Sequence, residues 1–187
     1  MDTIEALNTR SSAKSYGDMP PNRDHVATIL ESAVHAPDHG RLRPWRFMLI
    51  EGNQRKKFGD ILASAALRRT PTLPAGDLQR ERDKAMRAPL IIVVVCRAVT
   101  GTKVPVIEQI LAAGAATQNI LLGLHNFGYA AAWKTGESAY DPEVKRALGL
   151  AVDDHIVAFV YTGGGLGALF APGKPANVQD AMLDFPG

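Results

Sequence analysis

The stretch "IEQILAAGAATQNILLGLHN", residues 107–126, decides the fold. Its apolar residues recur on nearly every side of a helix, which marks a buried spine rather than a surface helix with one apolar stripe. Twenty residues at 1.5 Å each span about 30 Å, enough to cross a small domain. The run Ala112, Ala113, Gly114, Ala115 and Ala116 presents almost no side chain, so another backbone or a flat molecule can approach closely.

The segments on either side read as strands. "APLIIVVVCR" (88–97) is a continuous apolar, β-branched run and predicts a central strand. "YAAAWKTG" (129–136) and "HIVAFVYTG" (155–163) predict two more. In "WRFMLIEG" (45–52), Trp45, Phe47 and Leu49 share one face and Met48 and Ile50 the other, which predicts an interior strand. Helices fill the gaps. Asp2 and Glu5 have capping-box spacing and open a short helix ending near Thr9. Val26, Ile29, Leu30, Ala33 and Val34 have helical spacing, and Pro37 stops that helix. Residues 53–69 and the charged "DLQRERDKAMR" (77–87) follow the same logic. Asp141-Pro142-Glu143 supplies an N-cap, a proline at the first helical position and an acid in the first turn of a helix closing at Gly149. The order is α, α, β, α, α, β, α, β, α, β. It predicts one α+β domain over residues 1–187, a sheet wrapped around the central helix, with an extended Gly- and Pro-rich tail from about residue 165.

Composition narrows the function. Lys and Arg number 21 against 19 Asp and Glu, a net charge of +2, and no basic stripe with interleaved aromatics argues for nucleic acid. Arg55-Lys56-Lys57 is read as the solvated face of a helix. No stretch is long enough to span a bilayer, and "MDTIEALNTR" has no apolar signal core. Cys96, the one cysteine, lies inside "LIIVVVC" and is read as a buried thiol, which suits a reducing, cytoplasmic setting.

Several short motifs carry chemistry. "YTGGGLG" (161–167) lacks the following helix that a dinucleotide fingerprint needs, so it is read as an exit into the tail. His35 and His39 have metal-ligand spacing, but Pro37 breaks their common face, and a metal-dependent hydrolase would need Asp38 or a distant residue as third ligand. Arg10, Ser11, Ser12 and Lys14 place two cations and two hydroxyls within five residues beyond a helix end, a phosphate cradle or an ordinary polar loop. Trp133-Lys134-Thr135 sets an aromatic and a cation at a strand end.

Together "MDTIEALNTRSSAKSY", "ILESAVHAPDHGRLRPWRFMLIEG", "MRAPLIIVVVC", "KVPVIEQ", "HNFGYAAAWKTG" and "HIVAFVYTGG" occur in the order of the nitroreductase family, and over residues 1 to about 165 the chain resembles its compact branch of bacterial NAD(P)H nitroreductases. The resemblance implies a homodimer with a mixed sheet and with FMN in a groove between subunits. It implies that Arg10, Ser11 and Ser12 hold the FMN phosphate and ribityl chain, helped by Lys14 or Lys174. His35, His39, Trp133, Lys134 and Thr135 match flavin-contacting positions. Ser11 and His35 stand where this branch commonly has arginine, and Lys134 replaces an arginine, keeping the charge but losing the planar fork. Gly123, Leu124, His125, Asn126, Phe127 and Gly128 match a stretch assigned to NAD(P). The activity implied is hydride transfer from NADH or NADPH through FMN to nitroaromatic, quinone or related acceptors by a ping-pong mechanism. The alternative on the same fold is a non-catalytic flavin-binding or storage protein.

Overall fold

The computed structural model describes residues 1–165 and 177–183. In chain order the elements are α1 (Thr3–Thr9), α2 (Arg23–Ala33), β1 (Trp45–Glu51), α3 (Gln54–Arg69), α4 (Ala75–Lys84), β2 (Leu90–Arg97), α5 (Val106–Asn126), β3 (Ala130–Lys134), α6 (Glu137–Tyr140), α7 (Pro142–Ala147) and β4 (Asp154–Gly163). Single 3-10 turns occupy His39–Arg41 and Val178–Ala181. Among the described residues the strands form one sheet in the order β1-β2-β4-β3.

The class is the α+β one expected, but the sheet is antiparallel at every ladder among the described residues rather than mixed. β2 and β3, joined through α5, run in the same direction. β4 inserts between them and pairs with both, so no parallel neighbours arise. β2 is central and buries every residue from Leu90 to Cys96. Burying one such Ile or Val contributes on the order of 1.5–3 kcal/mol, so this strand anchors the core. β1, expected to be interior, is an edge strand among the described residues. Its two apolar faces arise from helices on both sides: Trp45 packs in the cluster under α2 and α5, and Ile50 in the cluster under α3.

α5 lies on one face of the sheet, and only part of its circumference is enclosed. Ala112, Ala113, Ala116, Ile120, Leu121 and Leu124 are buried. Ile107 and Leu111, on the opposite side, are 59% and 64% exposed. Gln109 is buried and satisfied by the loop before the helix: its side chain accepts from the Val99 N–H (2.8 Å) and donates to the carbonyls of Val99 (3.1 Å) and Val104 (3.3 Å). Cys96 is fully buried, and burial, then the nearby Asp154 charge, pushes its thiol up to about 11. Local signals hold at the caps. Asp2 accepts from the Glu5 N–H at 2.8 Å, and Asp141 from the Glu143 N–H at 2.8 Å.

Candidate active site

The segment after α1 runs beside β3. The Ala13 N–H donates to the Ala131 carbonyl (2.9 Å), and the Gly17 N–H to the Gly164 carbonyl (2.9 Å). This close approach explains part of the glycine run: a Cβ on Gly163 would lie 2.5 Å from the Gly17 carbonyl oxygen. Ser12 and Lys14 are thereby set beside Lys134 and Thr135 at the end of β3, and all four line one cleft of about 780 Å³. That is toward the upper end of ordinary ligand clefts, roughly 300–1,000 Å³.

The cleft has an apolar, aromatic floor and a cationic wall. Phe58 and Phe159 meet at 5.5 Å between ring centroids, and Tyr16 and Tyr161 stack at 6.4 Å. Burial pushes both tyrosines up to about 12, against the lowering effect of Arg87, so both remain neutral phenols at pH 7. Lys84 pairs with Glu81 (2.5 Å), and Arg69 with Asp141 and with Glu137 (3.4 Å). Lys14, Arg87 and Lys134 have no ion-pair partner among the described residues. Such a site suits a large planar ligand that carries negative charge.

The other sequence-predicted residues fall outside this cleft. Arg10 and Ser11 border a narrow crevice with His125, Tyr129 and Ala131. Trp133 is 37% exposed, and its indole N–H donates to the Val157 carbonyl (3.0 Å). Val157 is the extra residue where the β2–β4 register shifts, so its carbonyl is available. Lys174 lies outside the described residues. His35 and His39 are exposed beyond the end of α2, and His39 Nδ1 lies 2.6 Å from Glu108 Oε2 in the first turn of α5. Glu108 and His125 are seventeen residues apart on one helix, about 25 Å. One protomer therefore does not bring His35 and His39 to the Arg10–Lys14 segment. The loop bearing His39 is strained: Gly40, Arg41 and Arg43 have φ of 73°, 53° and 50°. Asp38 steadies it by accepting from the Arg43 N–H at 2.7 Å. Two non-glycine residues at positive φ cost on the order of 1–3 kcal/mol each, an expense that clusters at functional loops.

Most of residues 123–128 have local structural roles. A Cβ on Gly123 would lie 2.9 Å from Ile29, Leu124 is fully buried, His125 meets Thr9, Phe127 stacks on His25 at 4.0 Å, and Gly128 takes φ +78° after the helix. A groove of about 410 Å³ lined by Gly123, Asn126 and Phe127 runs alongside. Among the described residues, no three His, Cys, Asp or Glu side chains gather to hold a metal. Sequence reading missed Tyr16, Arg69, Lys84, Arg87 and Tyr161 as cleft residues. Lys84 and Arg87, on and just beyond α4, belong to the charged helix segment 77–87, and nothing local distinguishes them.

Comparison with known proteins places this architecture. The model of the Nitroreductase family matches residues 7–164. The Escherichia coli (strain K12) protein named "Putative NAD(P)H nitroreductase YdjA" is 35% identical over 167 residues, covering 87% of this chain and 88% of that one. The nitroreductase-like family protein from Bacillus cereus superposes with a TM-score of 0.84 at 22% identity, covering 100% of this chain and 97% of that one. The FMN and NADPH-dependent nitroreductase NfnB from Sphigopyxis sp. strain HMH superposes with a TM-score of 0.79 at 21% identity over the whole of both chains. The chain belongs to the nitroreductase family, a family of oxidoreductases.

Proposed function

We propose that the cleft holds FMN and that the protein is an NAD(P)H-dependent oxidoreductase acting on nitroaromatic, quinone or related acceptors. The observation that carries this reading is the meeting of Ser12, Lys14, Lys134 and Thr135 over an aromatic floor. The donor set fits the cofactor: hydroxyls and cations for a phosphate and its linker, a flat apolar bed for a ring system, and unpaired positive charge. The names of the YdjA and NfnB relatives support the same assignment.

FMN, when bound, supplies the hydride transfer, and the chain supplies position and field. Ser12 would hold the phosphate and its chain from the cleft, and Arg10 and Ser11, which border the crevice beside His125, would reach the phosphate from that side. Lys14 and Lys134 place positive charge where the cleft must accommodate added negative charge. No side chain is needed as a nucleophile. Donor and acceptor share one cleft, so the oxidised nicotinamide leaves before the acceptor enters. Leu124 is taken up by the core, His125 by Thr9 and Phe127 by His25, which favours entry of the nicotinamide at the cleft itself.

A second copy of the chain completes this reading. His35 and His39 stand too far from Arg10 within one protomer, and the exposed Ile107 and Leu111 of α5 offer an apolar face for pairing. Co-purifying Arg10→Ala and His39→Ala chains as a mixed dimer is expected to yield one restored FMN site per two. Mixed dimers that bind no more FMN than either variant alone would exclude a shared site. Among the described residues no helix is long and apolar enough to cross a membrane, and the buried Cys96 thiol suits the cytoplasm.

The activity test is oxidation of NADH or NADPH by the FMN-loaded protein with a nitroaromatic or a quinone. Parallel double-reciprocal lines are expected. Bound FMN that neither nucleotide bleaches would replace the oxidoreductase reading with flavin storage.

A further inference from the structure

We infer that Tyr16, Tyr161 and Arg87 form an anion-binding corner of the cleft, and that the preferred acceptor is an aromatic molecule bearing a carboxylate or a similar oxyanion. This rests on the oxidoreductase reading of the same cleft and names its substrate class.

Three observations converge on the corner. Tyr161 is 7% exposed on β4 and stacks with Tyr16 from the neighbouring segment. Neither hydroxyl has a hydrogen-bond partner among the described residues. Among those residues the one sealed, unpartnered side-chain polar atom is Thr162 Oγ1, so both phenol oxygens open toward the cleft their rings line. Two phenol hydroxyls that open on one cleft without a partner among the described residues are free to donate to a ligand oxygen. Second, Arg87 stands just beyond α4 on the same cleft, unpaired among the described residues, and its charge acts on both phenols. A guanidinium fork beside two hydroxyl donors matches a carboxylate's two oxygens. Third, Phe58, Leu62 and Phe159 belong to one apolar floor of the cleft, along which an attached ring would lie beside the flavin. A neutral acceptor would use the bed but leave the Arg87 charge unanswered.

The neighbouring charges do not remove this preference. Lys84 is occupied by Glu81, and Arg69 by Asp141 and Glu137. Lys14 and Lys134 are assigned to the flavin end, leaving Arg87 as the cation for a second negative group.

The test is calorimetric titration of the purified protein with benzoate and with benzamide, its uncharged near-isostere, while flavin absorbance is recorded on the same samples. Benzoate is expected to bind about tenfold tighter, the scale of one charge-assisted hydrogen-bond pair. Arg87→Ala should abolish the preference and Arg87→Lys restore part of it. Tyr161→Phe should weaken benzoate several-fold while leaving benzamide nearly unchanged. Arg87 is exposed, so its variants should melt within a few degrees of the parent. Equal affinity for the two ligands, or a preference that survives Arg87→Ala, would overturn the inference. Loss of flavin with the benzoate preference intact would remove the oxidoreductase reading alone. Retained flavin without the preference would remove the corner alone.

Discussion

Thr9 Oγ1 and His125 Nε2 stand 2.8 Å apart, tying the residue before Arg10 to the last turn of the central helix. Thr9 already gives its one hydroxyl proton to the Glu5 carbonyl at 2.7 Å, so His125 Nε2 carries the hydrogen and donates. The start of the proposed phosphate cradle is thus held by a histidine in a stretch that also resembles a nucleotide-binding motif. Burial first, and then the Arg10 charge, holds the His125 pKa below the usual value, with Glu5 opposing.

A pH dependence follows with a definite sign. The unfolded chain binds a proton at His125 near pH 6.5, and the folded chain only below that. Between the two values the unfolded state holds more protons, so stability falls as pH drops through this window. His125→Gln should flatten the acid side of a melting-temperature profile between pH 7 and 5. An unchanged slope would remove His125 as its source.

Arg10→Ala should weaken FMN by roughly 10- to 100-fold, the equivalent of a charge-assisted hydrogen bond at 1.5–3 kcal/mol. Turnover per bound flavin should change little, because the phosphate is remote from the reacting ring. Fluorescence titration with FMN, followed by rates at saturating cofactor, separates the two. Unchanged affinity would count against the phosphate role.

Gly59→Ala tests how the cleft wall is built. A Cβ there would lie 2.6 Å from the Arg82 carbonyl oxygen, a backbone atom that cannot rotate away. Alanine gains about 1 kcal/mol of helix propensity, yet the net effect should be a loss of about 2 kcal/mol from forcing α3 and α4 apart. Denaturant unfolding would read it. A neutral or stabilised variant would show that the pair can shift freely.

Asp141→Ala removes both the cap of α7 and a partner of Arg69. Burial alone would raise the Asp141 pKa, but the Glu143 N–H, the Arg69 side chain and the Val144 N–H together hold it below the usual value. The carboxylate therefore stabilises the fold above its unfolded pKa, near 3.8, and the contribution is lost as pH falls through the lower folded value. At pH 7 the variant should lose about 2 kcal/mol, a cap plus a partly buried charge pair. At pH 2 the gap should narrow, and a gap independent of pH would assign the loss to packing.

Much of this architecture is legible one element at a time. The run Leu90–Cys96 reads as a central strand from its length and β-branched residues, and Asp2, Pro37 and Asp141 mark helix ends by local chemistry. What escapes a linear reading depends on neighbours distant in sequence. β1 looks interior because helices cover both its faces, while its place at the edge depends on β4 inserting between β2 and β3. α5 looks enclosed because its residues are apolar all round, yet Ile107 and Leu111 face outward. The same limit governs the site. Ser12 and Lys14 are readable from their cluster of hydroxyls and cations, whereas Tyr16, Arg87 and Tyr161 become a group only when the segment after α1, the end of α4 and β4 converge.

The most direct test of the central claim is the visible absorbance of the protein desalted after incubation with FMN. One oxidised flavin retained per chain, with its visible absorbance bands shifted from those of free FMN, is the predicted result. A colourless protein after desalting would contradict the assignment of the cleft to FMN.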